Sequence, residues 1–404
     1  MQSKYDVALL GTGVAPLVAA NRLIAQGKSV LILNPDWDFF REDSELSLDP
    51  IWPMGLESLN SRKLLMNRPE AVLEELRPEF PGSIELWLPP TGKEKVRQSL
   101  QDIHAPFVRG RSRVWMKSDD PLDGTWDAIE SMYVEASDAG LHPQLVEGPQ
   151  VARVFPGFSA KALSDLKALS VPRICDVDVN RYRNGLLEFV RERLGQERII
   201  CGANEIQLES GGIRYYSTSS TQRGWHHASL TEGLLVFWTP RMSSWIFSNL
   251  DVSPFVSATS IDGVQTWEEW TLLSRDNLDA SSIGVFENMI VWADVTGPGD
   301  AGSDRLTVLR PGPRYPIRDA NLFASGQSWA SQEAFQSLSN LTRGFLNWDK
   351  FSIRSMRPRT VFLWERPETH LLPTKDTRVW VVQGCDGPLT EVVRNSRSAV
   401  EIIE

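Results

Sequence analysis

Histidine and cysteine are scarce in this chain of 404 residues. The three cysteines, Cys175, Cys201 and Cys385, lie far apart, and the five histidines include no set with ligand spacing. That excludes a disulfide framework and a CxxC metal pair, and no metal site is expected. A reducing compartment follows as the expectation. Long basic runs are missing as well, and the formal net charge is −10, which argues against a nucleic-acid partner. No apolar run approaches the length of a membrane span, so none is expected. The first strand signal begins near residue 5, which leaves no room for a signal peptide, and the expected location is cytoplasmic.

What is present is globular. The hydrophobic fraction is 41% and the charged fraction 23%, and the length favours two domains. Tryptophan is abundant, with 15 in all and ten of them after residue 220. Trp225, Trp238, Trp245, Trp267 and Trp270 read first as sheet core. An aromatic pocket for a bulky or protein substrate is the alternative.

Residues 5–34 organise the rest. Val7 to Leu10 form an apolar run of buried-strand length, followed at once by Gly11-Thr12-Gly13. Leu17, Val18, Ala20, Leu23 and Ile24 then recur at helical spacing, Gly27 fits a helix stop, and Val30 to Leu33 read as a second buried strand. This βαβ pattern with glycines at its first turn is the context of a dinucleotide fingerprint. Gly11 permits a tight turn, Gly13 lets backbone approach a pyrophosphate, and the N–H groups opening the helix at Val14 and Ala15 hold the anion. Two positions depart from the pattern. Pro16 replaces the third glycine, which a first helical turn tolerates. Asn34 stands where an acid usually binds the ribose, and it offers an amide instead of a charge. Arg41, in the loop-like stretch 35–60, is a candidate phosphate contact, although a solvated surface role suits it better.

Further on, Arg183 to Gly195 reads as an amphipathic helix with Asn180 as its cap. Residues 199–216 read as strand, turn and strand. The short β-type runs of 230–318, among them LLVFW and WIFSN, suggest an antiparallel sheet. His226 and His227 are adjacent, so a strand would turn them to opposite faces, in surface or packing roles. Residues 377–393 repeat the opening order of apolar strand, glycine turn and helix.

Four stretches, in order, resemble the FAD-dependent D-amino-acid oxidase, glycine oxidase and sarcosine oxidase family. They are Gly11-x-Gly13, then Phe155-Pro156-Gly157-Phe158 with Asp176 to Asn180, then Cys201 to Ile206, and last Arg357-Pro358 with Gly384-Cys385-Asp386-Gly387. The resemblance implies an α/β fold. A Rossmann-like FAD-binding domain would be built from discontinuous segments, 1–80, 140–230 and 345–404. An antiparallel α+β substrate domain, 81–139 and 231–344, would be inserted into it. It implies non-covalent FAD, with Glu205 and Ile206 near the adenosine half. The turn Gly384, Asp386, Gly387, Pro388 and Leu389 would lie near the flavin, with Asp386 better suited to capping the last helix. Arg357 would pair with a substrate carboxylate, although a structural arginine is an equal reading. The implied reaction is oxidation of an amine or amino acid by hydride transfer to flavin N5. A flavin monooxygenase acting on an aromatic or bulky substrate, and a catalytically degenerate flavin-binding interaction protein, are the alternatives.

Overall fold

The computed structural model describes residues 3–35, 86–87, 108–118, 142–147, 166–177, 179–219, 223–239, 242–250, 261–274, 282–286, 289–294, 304–315, 351–364, 371–374, 378–385 and 389–403, with single positions elsewhere. The chain opens with β1 (Ser3–Leu10), α1 (Val14–Ala25) and β2 (Val30–Asn34). It continues through β3 (Leu86–Trp87), β4 (Val108–Ser118), β5 (Gln144–Glu147) and β6 (Leu166–Val177) to α2 (Val179–Leu194). Next come β7 (Ile199–Cys201), β8 (Ala203–Glu209), β9 (Gly212–Ser217), β10 (Gly224–Phe237) and α3 (Ser243–Asn249). β11 (Ile261–Ser274), β12 (Ser282–Phe286), β13 (Met289–Asp294), β14 (Asp304–Tyr315) and β15 (Phe351–Trp364) follow. The chain closes with β16 (Leu371–Pro373), β17 (Val379–Val382) and α4 (Leu389–Ile403).

Two sheets result. The first has the order β16-β17-β10-β1-β2-β7, with β8 and β9 added through β10. Its centre, β17-β10-β1-β2-β7, is parallel throughout. Parallel strands covered on both faces need apolar residues at every position, which is why β1 and β2 read as continuous runs. Val7, Leu9, Val30, Ile32, Leu235 and Val382 pack against α1, α2 and α4. Ala8, Leu10, Leu31, Leu33, Leu234 and Val381 face the other way, beneath the β8–β9 hairpin and α3.

Local signals set the ends of α1. Gly27 lies at φ +81, its N–H donates to Ile24 O, and the Lys28 N–H donates to Leu23 O. That pair of bonds closes the helix in a Schellman motif, at the stop expected from sequence. α2 starts at Val179, so Asn180 lies inside the helix and does not cap it.

The second sheet runs β15-β11-β14-β13-β12-β4-β6-β5, with β3 paired to β4. Its longest pairings are antiparallel, but β4 lies parallel to β12 and to β3, so the sheet is mixed. Two runs expected in an antiparallel sheet belong elsewhere. LLVFW is the end of β10 and lies parallel between β1 and β17. WIFSN is helical, in α3, where Phe247 meets Trp238 edge-on at 5.5 Å. A short apolar run cannot tell a strand from one buried helical turn. Sheet membership also cuts across the expected segments. The boundary at 230/231 falls within β10, and β6 and β15 lie in the second sheet.

Candidate functional site

All five parallel strands end at one edge of the first sheet. From β1 the chain steps outward through β2 to β7, then returns to the opposite side of β1 with β10 and β17. The order therefore reverses between β1 and β10. In open parallel sheets that reversal opens a crevice at the carboxyl ends of the strands, where ligands bind.

The glycine turn sits at this reversal. Gly11 donates its N–H to Leu33 O at 3.1 Å. Gly13 is the N-cap of α1 at φ +77 and ψ −149, and a Cβ built on it meets nothing within 4 Å. The two glycines serve different purposes from those expected. Gly13 carries the turn geometry. Gly11 allows close packing, because a Cβ there would stand 2.8 Å from Phe237 Cβ at the end of β10. No side chain caps α1 and its first turn holds no acid. Pro16 is its third residue and has no N–H, so Gly13, Val14 and Ala15 carry the donors that have no intrahelical acceptor. Val14, Ala15 and Pro16 are themselves buried. An anion of matching size would find donors and a positive helix end here.

Three neighbours complete the edge. Asn34 is the last residue of β2, pairs with Cys201 in register and is fully buried. Thr239 lies two residues beyond β10 and is 7% exposed. Its hydroxyl oxygen is buried with no hydrogen-bond partner among the described residues. Beyond β17, Gly384 has φ +68, and Asn395 of α4 donates its Nδ2 to Gly384 O at 3.1 Å. A Cβ on Gly384 would lie 2.2 Å from that nitrogen, so the turn and the helix fit only through a glycine. Cys385 points its thiol to Val382 O at 3.3 Å, as a small packed residue would.

Of the other expected residues, Glu205 is exposed at φ +49, at the irregularity where β8 pairs with β9. Ile206 is buried beneath α3, and its carbonyl accepts the Trp245 indole N–H at 2.9 Å. Leu389 opens α4 and is buried with α1 and α2. Arg357 lies in β15 of the second sheet, where its register partner on β11 is Glu269, itself 7% exposed. Arg41, Asp386, Gly387 and Pro388 lie outside the described residues. His226 stacks on Tyr215 at 5.4 Å, while His227 Nε2 meets Glu209 Oε2 at 2.8 Å on the other face, so both serve the β8–β10 meander. Among the described residues no cluster of His, Cys, Asp and Glu could hold a metal, and no helix is long and apolar enough to cross a membrane.

Three polar residues of this region escape a reading by motif. Thr239 follows the apolar run of β10. Asn395 is 4% exposed on α4. Arg183 is 2% exposed in the second turn of α2. The signal for Arg183 is its spacing, three and four residues before Leu186 and Leu187 on the apolar stripe. A cavity of about 480 Å³, bounded by Ile213, Leu230, Gly233 and Arg378 among others, lies where β17 begins, at the far end of the strands from the glycine turn.

No family model and no curated protein matches the sequence. Solved structures match across the whole chain. L-proline dehydrogenase from P. horikoshii is 10% identical, with a TM-score of 0.64, over 100% of this chain and 94% of that one. Glycine oxidase from Bacillus cereus is 13% identical, with a TM-score of 0.62, over 99% and 94%. L-α-glycerophosphate oxidase from Mycoplasma pneumoniae, solved with FAD bound, is 11% identical, with a TM-score of 0.63, over 100% and 95%. At such identities the likeness is one of fold. The chain thus has, over its full described architecture, the fold of a glycine oxidase and of a glycerophosphate oxidase that binds FAD.

Proposed function

We propose that the chain is a FAD-dependent oxidoreductase that oxidises an amine or amino acid. The observation that carries this reading is the glycine turn at the strand-order reversal. Gly13 leaves open space before an uncapped helix end. The buried Thr239 hydroxyl, without a partner among the described residues, stands at the same edge. Those features fit the diphosphate of a dinucleotide. Gly13, Val14 and Ala15 would donate backbone N–H groups to it, and Asn34 would serve the ribose with its amide. The turn that Asn395 fixes at Gly384 would set the start of α4 beside the isoalloxazine. When bound, FAD supplies the two-electron acceptor; the protein binds, orients and excludes water. Arg357 is assigned to a substrate carboxylate by the resemblance, since a guanidinium fork suits that group. The structures named above are oxidases or a dehydrogenase, which supports oxidation over hydroxylation.

The test is anaerobic mixing of the FAD-loaded protein with a panel of amines, amino acids and 2-hydroxy acids. Loss of the flavin absorption band with an amine or amino acid is the expected result. Arg357→Met should then raise KM at least about tenfold for substrates with a carboxylate and leave simple amines unaffected, the loss of one charge-assisted pair. Loss of the band with NAD(P)H alone would contradict the proposal and favour a monooxygenase.

A further inference from the structure

Thr239 is held by its backbone and unused by its side chain. Its carbonyl accepts the Met242 N–H at 2.9 Å and the Ser243 hydroxyl at 3.2 Å. Ser243 in turn accepts the Trp238 indole N–H at 3.0 Å, so the turn from β10 into α3 is tied down. The Thr239 hydroxyl is buried and has no hydrogen-bond partner among the described residues. A buried hydroxyl left unmatched is costly, and folded chains seldom keep one without a use.

Its place along the edge follows from the strand registers. Leu33 pairs with Leu10, Leu10 with Val236, and Val236 with Val381. Those four residues make one row across β2, β1, β10 and β17. The pairing with β17 runs on past Val236, since the Trp238 N–H donates to Val382 O at 2.8 Å. On the other side, a Cβ on Gly11 would stand 2.8 Å from Phe237 Cβ, two residues before Thr239. Just beyond the row stand Asn34 on β2, Gly13 after β1, Thr239 after β10 and Gly384 after β17. Thr239 therefore leaves the strand that lies between the glycine turn and the Gly384 turn. FAD is built in a matching order of ribose, diphosphate, ribityl chain and isoalloxazine. With Asn34, the glycine turn and the Gly384 turn given to the other three, the ribityl chain falls to the end of β10.

We propose that the Thr239 hydroxyl holds the ribityl chain of FAD, next to the diphosphate. The inference rests on the FAD reading above and adds to it a residue that serves the flavin half alone. A threonine hydroxyl and a ribityl hydroxyl can each donate and accept, so either completes the other. In a crevice that excludes water, that pairing satisfies groups otherwise unmatched on both sides.

The test compares wild type, Thr239→Val and Thr239→Ser as full chains stripped of FAD, titrated calorimetrically with FAD and with ADP. Thr239→Val should weaken FAD roughly three- to tenfold, the value of one hydrogen bond between neutral groups, and leave ADP, which has no ribityl chain, unchanged. Thr239→Ser keeps the hydroxyl and should bind FAD more tightly than Thr239→Val. Without ligand, Thr239→Val should melt no lower than wild type, because it removes an unmatched buried hydroxyl. Unchanged FAD affinity in Thr239→Val would overturn the assignment and leave the FAD reading intact. Equal weakening of FAD and ADP would also overturn it and move the hydroxyl to the diphosphate. A lower melting temperature of unliganded Thr239→Val would overturn it in favour of a role in the fold. Failure of wild type to bind either FAD or ADP would overturn the FAD reading and this inference with it.

Discussion

Gly11 and Gly13 look interchangeable in a motif and are not. Gly13 needs its positive φ, while Gly11 needs the absence of a side chain against β10. Gly11→Ala should therefore destabilise the protein by about 1–3 kcal/mol through overpacking. Phe237→Ala should not rescue it, because alanine keeps the Cβ that makes the clash; chemical denaturation of the single and double variants checks this. The glycines were readable from their position after an apolar run, but the reason for Gly11 was not. Its contact is with a residue 226 positions later, and nothing local to the turn announces it. Asn395 shows the same limit. Its amide matters because it fixes Gly384 O, eleven residues earlier in the chain. Asn395→Ala should cost about 1–3 kcal/mol by leaving that buried carbonyl unsatisfied. It should weaken FAD binding more than ADP binding if the turn serves the isoalloxazine end; denaturation and calorimetry together read both effects.

β10 is the element that joins the fold. Its first half pairs antiparallel with β9 and its second half parallel with β17, while β1 runs along its other side. An apolar run reports burial and not direction, so the sequence placed LLVFW in the wrong sheet. Continuous apolar strands such as β1 and β2 were readable, because their local pattern has only one use between two layers. The far end of β1 is pinned by Asp6. It accepts the Ser29 N–H at 2.8 Å and the Thr231 hydroxyl at 2.7 Å, which ties β1 to the start of β2 and to β10. Beside it Lys28 pairs with Glu232. The Ser29 and Thr231 bonds hold the Asp6 carboxyl below its ordinary value. The folded pKa is depressed, so the contribution is present above the unfolded pKa of about 3.9 and is lost as pH falls through the folded value. Asp6→Asn should lower stability at neutral pH and flatten its fall below about pH 4, as urea unfolding from pH 2.5 to 7 would show.

The described residues form two sheets, one with a parallel centre packed on three helices and one that is larger and mixed. The βαβ unit and the closing strand, turn and helix foretold the first sheet, since each is a local pattern of about thirty residues or fewer. The second sheet was readable only as strand character. Its pairings span long separations, such as β4 with β12 and β11 with β15, which no local window contains. The edge where five parallel strands end depends on long-range pairings of the first sheet, β1 with β10 and β10 with β17, and the proposed cofactor site depends on that edge. The most direct test is the absorption spectrum of the purified protein, with analysis of what heat or acid releases. The account predicts flavin bands and free FAD in the supernatant, with a colourless pellet. A protein that is colourless and takes up no added FAD would contradict it.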